Sequence, residues 1–493
     1  MFAWNHHCPI HKLKKIIQNK IIIYLISRYG TFIAQFFTSI YLAIKLGPYE
    51  FGIWSFILLI INYLTYINLG IPNSLNVLLI QARQNKELSN DLILNSFALN
   101  IILAIIVISI EIYYFKFGIS FFDKYDLKDY FVIIGLIGIL FHFNSIFGTI
   151  SRINNRLFEL GVFQSIIPFL ILFTILLVES KNLLQILLLV TLIGHIITLM
   201  IFFFSRQFSF NGKLNLKLCQ QILRKGFYLF LYNISFLFII ISTRTMISFY
   251  YEVDEFGIFN FFYTVANSIL LLLQAFTVVI FPKIIDQLNS SDNTKVLNTK
   301  WSINNNYVTL AYILIFCGIS ILPFIIQYIT DYKNSSFAIC LIAMVLLSST
   351  NVFANTSLLM AKNMEKKLAL ISIISLVNNL VICYVLINVF QLHFHYIILS
   401  TLSSYLLFGI FTSKCVLDIT NEKRTNFSEI ILDFFPYRLL LPFLFSLILI
   451  LNGLENYLFI PFGLFLYLNN SEIFTLYDTI NKILLQPKSI DLE

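Results

Sequence analysis

The chain has 493 residues, of which 58% are hydrophobic and 12% charged, with a formal net charge of +8. A charged share about half the soluble norm of about 25%, with a mean hydropathy of +0.84, excludes an ordinary soluble domain and predicts an all-α polytopic membrane protein. The positive balance does not point to nucleic acid, because the basic residues are dispersed at the ends of apolar runs, where they suit topology and contact with anionic lipid.

The chain opens with a polar stretch through Lys20, followed by an apolar run too long for the core of a cleavable signal and with no small-residue cleavage site after it. That run is expected to stay as the first span. Candidate spans one to six cover residues 21–44, 51–71, 92–115, 130–150, 160–178 and 183–204. Spans seven to twelve cover 227–250, 257–281, 306–328, 336–360, 368–390 and 394–413. Each is near the 20 residues or so needed to cross about 30 Å of hydrocarbon at about 1.5 Å per residue. Beyond them lie 433–451 and a weaker 457–468 containing Pro461, then a stretch at 472–485 suited to a surface helix. The count is fourteen, or twelve if the last pair is re-entrant or interfacial. The expected organisation is an N-terminal six-helix lobe (1–204), a cytoplasmic linker (205–226), a C-terminal six-helix lobe (227–416), and a charged linker with additional membrane helices and a cytoplasmic tail (417–493). Short-strand alternation, the mark of a β-barrel, is absent from the sequence.

Charge sets the expected orientation. With the N-terminus in the cytoplasm, twenty-two Lys and Arg fall in inside segments and six outside. Short loops retain basic residues on the cytoplasmic side. No connection is long enough to hold a soluble catalytic module, no phosphate-cradling Gly-rich loop is present, and the six cysteines form no metal-binding or redox pair. Neither a metal nor a cofactor is expected.

Leu46-Gly-Pro-Tyr-Glu-Phe-Gly-Ile-Trp-Ser-Phe56 breaks the first two apolar runs, and Val253-Asp-Glu-Phe-Gly-Ile-Phe-Asn-Phe261 breaks the seventh and eighth. Glu50-Phe51-Gly52-Ile53 matches Glu255-Phe256-Gly257-Ile258 at an offset of 205 residues, and at the same offset Asn62 falls on Asn267. An internal duplication with two pseudo-symmetric halves is therefore expected.

Arg28 lies about 12 Å into span one, where a charge is costly unless it snorkels, pairs or faces water. Thr31, Gln35 and Thr38 follow it at helical spacing. Asn260, Thr264, Asn267 and Gln274 form a similar stripe on span eight, and Asn62, Thr65 and Tyr66 on span two. These stripes suit either a wet cavity between two lobes or hydrogen bonds between packed helices. Arg244, near the end of span seven, suits either snorkelling or an anionic headgroup. His142 and His195 are expected to be packed and hydrogen-bonded, and Arg438 to snorkel. No carboxylate lies deep in a span, Glu111 coming nearest, so the buried charge is positive and suits an anionic ligand such as a diphosphate. The candidate substrate-binding set is Arg28, Gln35, Asn62, Asn267, Gln274 and Arg244.

The segment Leu46–Phe56 with Ile67-Asn-Leu-Gly-Ile-Pro-Asn-Ser-Leu75, and the turns Ser151–Gly161 and Lys362–Lys367, resemble the polysaccharide-unit flippases of the multidrug/oligosaccharidyl-lipid/polysaccharide exporter superfamily. The resemblance implies two six-helix lobes about a central cavity lined by helices one, two, seven and eight. It also implies transfer of undecaprenyl-diphosphate-linked oligosaccharide to the outer leaflet of the bacterial inner membrane, for O-antigen, capsule or related polymers. Membrane lipids, a polysaccharide polymerase and glycosyltransferases are the implied partners. It implies a transporter and not an enzyme. A cation-coupled multidrug exporter of the same superfamily and an integral-membrane glycan polymerase are the alternatives.

Overall fold

The computed structural model describes residues 20–485 apart from 83, 119, 155, 180–181, 206–210, 291, 334–335 and 421–425. Among the described residues every regular element is a helix. Eleven helices are long and apolar enough to cross a membrane, or twelve with one bent pair counted as a single span. The first of them holds two spans. Lys20–Tyr66 is a merged stretch of 47 residues, which at about 1.5 Å per residue would run about 70 Å, more than twice the hydrocarbon thickness. It is broken at Gly47, whose backbone has φ 69° and ψ 173°. An L side chain is disfavoured there, and Pro48 cannot donate the next helical hydrogen bond.

Span three is Lys86–Phe117, four is Phe131–Ile153, five is Leu157–Leu177 and six is Leu183–Phe204. Span seven is Leu216–Tyr250 and eight is Val253–Leu288. Span nine runs from Asn293 to Ile326 through a π-turn at Asn304–Val308; ten spans Ser336–Ala361, eleven Glu365–Asn388 and twelve Leu399–Thr420. Spans three, seven and nine begin six to thirteen residues before their apolar runs. Their extra turns are polar and are started by side-chain caps: Asn85 accepts from Leu88 N at 3.0 Å, Asn215 from Lys217 N at 2.9 Å and Asp292 from Thr294 N at 3.0 Å. Hydropathy marks only the part of a helix that needs hydrocarbon.

The two halves meet through a reciprocal contact at the Pro48 end of the bundle. A Cβ on Gly52 would lie 2.3 Å from the carbonyl oxygen of Val253, and a Cβ on Gly257 would lie 2.0 Å from that of Pro48. Pro48 and Val253 are themselves repeat equivalents, as are Gly52 and Gly257. The rings obey the same exchange: Phe51 meets Phe261 edge-on at 6.2 Å, and Phe56 meets Phe256 edge-on at 6.2 Å. Each residue touches the repeat equivalent of its partner's counterpart, which is what a two-fold axis between spans two and eight requires. The duplication read from the sequence is thus present in the packing.

Burial follows position. Span ten is enclosed on all sides, Ala338 to Val345 being fully buried, whereas span three leaves Ile101, Ile102, Ile105 and Ile112 exposed along a lipid-facing stripe. At the C-terminus Phe427–Phe434 bends by 86° into Tyr437–Leu451. Phe459–Leu468, the fourteenth run, has 10 residues and reaches only about 15 Å. It therefore cannot cross alone. The helix Asn470–Leu485 follows it.

Candidate functional site

Span one turns its polar stripe away from lipid, and the stripe divides into a dry part and an open part. Thr31 is fully buried and shares a hydrogen bond with Ser165 of span five at 2.7 Å, while Ser27 meets the same hydroxyl at 3.1 Å. These are packing contacts within one half. Arg28 is different. It is half-buried, and its guanidinium lies 4.4 Å from the centre of the Phe32 ring. No ion pair or hydrogen bond holds it among the described residues. A cation–π contact contributes about 0.5–2 kcal/mol, against at least about 2.5–3.5 kcal/mol for placing Arg inside a membrane helix. The Tyr24 phenol is also within electrostatic reach, and the remainder falls to water, an anion or snorkelling. Further along, the Gln35 Oε1 and the Thr38 hydroxyl are buried without a hydrogen-bond partner among the described residues.

Arg244 anchors a second cluster, at the other end of the interface. It is 6% exposed, which rules out snorkelling. Its Nε donates to Asn260 Oδ1 at 2.7 Å, and its guanidinium lies 4.7 Å from the Tyr263 ring centre. Asn260 is itself fully buried and donates through Nδ2 to Phe256 O at 2.7 Å. The phenols of Tyr63 and Tyr66 on span two are also within electrostatic reach of the guanidinium, and Tyr63 shares a hydrogen bond with Thr245 at 2.6 Å. Spans two, seven and eight therefore converge on one buried cation. Arg28 sits apart from it. Arg28 precedes Pro48 by twenty residues, about 30 Å along the helix, whereas Arg244 lies only nine residues, about 13 Å, before Val253.

Asn62 and Asn267 occupy matched depths, each ten residues beyond its glycine, about 15 Å from the Gly52–Gly257 contact. Both are half-buried, and neither side chain has a hydrogen-bond partner among the described residues. The Gln274 side chain lies outside the described residues. The structure thus joins Arg244 to Asn260 and leaves Arg28, Gln35, Asn62 and Asn267 as separate polar groups. A crevice of about 230 Å³ lies between spans two and seven, lined by Phe56, Leu59, Ile60, Tyr63, Leu64, Phe122 and Thr245, and a pocket of about 350 Å³ lies by Gln287 and Lys295. Arg28, Asn62 and Asn267 line neither.

Other polar groups escaped the sequence reading. Asp433 is 4% exposed and binds Lys300 of span nine at 2.7 Å, with Asn355 Nδ2 at 3.5 Å. A lysine in the polar stretch before an apolar run and an aspartate at the edge of a linker give no sequence signal of pairing. Arg438 does not snorkel to an open interface: it pairs with Glu472 at 2.9 Å and donates to Asn305 and Asn469, tying the terminal helix to span nine. His195 is hydrogen-bonded to Asn144 at 3.2 Å, while the buried imidazole of His142 has the backbone of Leu64 near it and no hydrogen bond of good geometry among the described residues. Among the described residues no group of three His, Cys, Asp or Glu side chains could hold a metal.

The model of the family described as "Polysaccharide biosynthesis protein" matches residues 17–287, more than half of the chain. No curated protein matches the sequence significantly. Among solved structures, a lipid II flippase, MurJ, in an inward closed conformation aligns with a TM-score of 0.65 at 14% identity, covering 93% of this chain and 99% of that one. A multidrug resistance MATE family transporter of the MOP superfamily in an inward-facing conformation aligns with a TM-score of 0.55 at 13% identity, covering 82% and 96%. An outward-facing conformation of such a transporter gives 0.54 at 13% identity, covering 84% and 97%. At these identities the likeness is one of fold.

Proposed function

Because the chain belongs to the polysaccharide biosynthesis protein family, we propose that it is a flippase for polyprenyl-diphosphate-linked oligosaccharide repeat units. It moves them from the cytoplasmic to the outer leaflet of a bacterial inner membrane, for O-antigen, capsule or related surface polysaccharide. The observation that carries this proposal is Arg28, a guanidinium inside span one that, among the described residues, has the Phe32 ring and the Tyr24 phenol near it and no anionic side chain paired with it. Neither a stable dry core nor a lipid surface accommodates such a group, and a diphosphate satisfies it with two parallel charge-assisted hydrogen bonds.

The proposed mechanism is alternating access by two lobes, with divisions near residues 205–226 and 417, rocking about the two-fold between spans two and eight. With the N-terminus cytoplasmic, the Pro48 end faces outward and is sealed by the glycine and phenylalanine contacts. The headgroup enters from the opposite end, where Arg28 meets it, while the polyprenyl chain stays in lipid. Gln35, Asn62, Asn267 and Gln274 hydrogen-bond sugar hydroxyls at mid-depth. Arg244 serves the diphosphate once the Pro48 end has opened. The glycosyltransferases that build the repeat unit supply the substrate, and a polymerase consumes the product.

The test is the leaflet on which lipid-linked repeat units collect in a deletion strain. Collection on the cytoplasmic leaflet is expected. Collection on the outer leaflet would point to a polymerase, and normal distribution with altered drug susceptibility to a multidrug exporter.

A further inference from the structure

The connection between spans three and four, residues 118–130, reaches across the bundle to the other half. Lys124 Nζ donates to Ser248 O at 3.2 Å and to Tyr251 O, and Tyr125 Oη donates to Ser248 O at 2.9 Å. Those carbonyls belong to the C-terminal turn of span seven, which has no further helix to satisfy them and carries the negative end of the helix dipole. Tyr125 is fully buried, stacked on Phe56 at 3.9 Å and edge-on to Phe256 at 5.9 Å. One residue thus binds the rim of the second half and fills the space above the aromatic contact that seals the Pro48 end.

Lys45 makes the same kind of cap on span five, donating to Ile175 O at 2.6 Å and Val178 O at 2.8 Å. That cap stays inside one half. Its near-equivalent in the repeat, the Tyr251 hydroxyl, caps Leu392 O beyond span eleven at 2.5 Å, again inside one half. Lys124 and Tyr125 cross between halves. The tyrosine contact has a repeat counterpart: Tyr332 Oη donates to Ala43 O at 3.4 Å, Ala43 being the equivalent of Ser248, and its ring lies 4.4 Å from that of Phe261, the equivalent of Phe56. The residue before Tyr332 is Asp331, which has no amine to do what Lys124 does. Burial also pushes the Lys124 amine below its ordinary pKa, against the pull of Glu252 and Glu255, so the contact is made at a desolvation cost that the close carbonyls and these two carboxylates offset in part.

We infer that the Lys124–Tyr125 turn is a strap that holds the two halves together at the Pro48 end and sets how often that end opens. The inference rests on the alternating-access proposal, under which these contacts must break in each cycle. A single cysteine at Ser55, 3% exposed beside the Gly52 contact, is the probe, in a chain otherwise free of cysteine, with an impermeant maleimide applied separately to each face of sealed vesicles. Lys124→Met should raise the labelling rate from the Pro48 face about tenfold, and Tyr125→Phe, which keeps both rings and loses one hydroxyl, about threefold. Lys124→Arg, which keeps a charged donor, should stay within about twofold of the parent. Unchanged labelling in both Lys124→Met and Tyr125→Phe, with the protein still folded in the membrane, overturns the strap. No substrate is present in the assay, so the leaflet experiment can fail while the strap survives, and the reverse.

Discussion

Gly257→Ala bears most directly on the seal between the halves. The added Cβ would sit 2.0 Å from Pro48 O and 3.0 Å from Gly52 N, both rigid backbone atoms. Normal contact needs about 1 Å or more of extra separation, so spans two and eight must move apart at their crossing. Overpacking of this kind costs about 1–3 kcal/mol. The ring pairs Phe51–Phe261 and Phe56–Phe256 span the same crossing and contribute about 0.5–1.5 kcal/mol each through geometry. A net shift of about 2 kcal/mol moves the closed-to-open ratio about thirtyfold. The assay is spin-label or fluorescence distance measurement between the Pro48 ends of spans two and eight in reconstituted vesicles. The variant should populate a longer distance that is minor in the parent. A distribution identical to the parent's, in folded protein, would show that the glycines do not hold the closed state.

Arg28→Ala should leave folded protein in the membrane and reduce glycan export in a deletion strain, while Arg28→Lys should restore part of it; full complementation by the alanine variant would remove the charge role. Asn260→Leu leaves the Arg244 guanidinium buried without its amide partner, and should lower stability by about 1–3 kcal/mol in detergent thermal unfolding. Arg244→Met in the same variant should recover much of that loss. Lys300→Ala strands the Asp433 carboxylate and should cost about 3–5 kcal/mol, whereas Lys300→Met with Asp433→Leu should be near neutral; equal losses in the two proteins would contradict the pairing.

Much of the architecture was legible because the bilayer imposes it: apolar length gave the spans, and Glu50-Phe51-Gly52-Ile53 returning as Glu255-Phe256-Gly257-Ile258 gave the two halves. The turns of span seven before residue 227 were not legible, since Lys217, Arg224 and Lys225 lie outside the apolar window although Asn215 starts the helix. The polar stripes were legible as stripes and ambiguous in role. Thr31 proved to be packed against Ser165, whereas Asn62 and Asn267 have no partner among the described residues. Helical spacing places a residue on a face and cannot say what the face meets. Lys300 and Asp433 lie 133 residues apart, and nothing local announces such a pair. The reach of Lys124 to span seven was hidden for the same reason.

Transfer of a headgroup between leaflets is the event everything here serves. The direct measurement is reconstitution of the purified protein into vesicles carrying a fluorescent polyprenyl-diphosphate oligosaccharide, with an impermeant quencher reporting the share on each leaflet over time. Redistribution across the bilayer in parent vesicles, slowed tenfold or more by Arg28→Ala in equally folded protein, is the predicted result. A parent protein that leaves the lipid on its original leaflet, under each imposed ion gradient and membrane potential, would contradict the account.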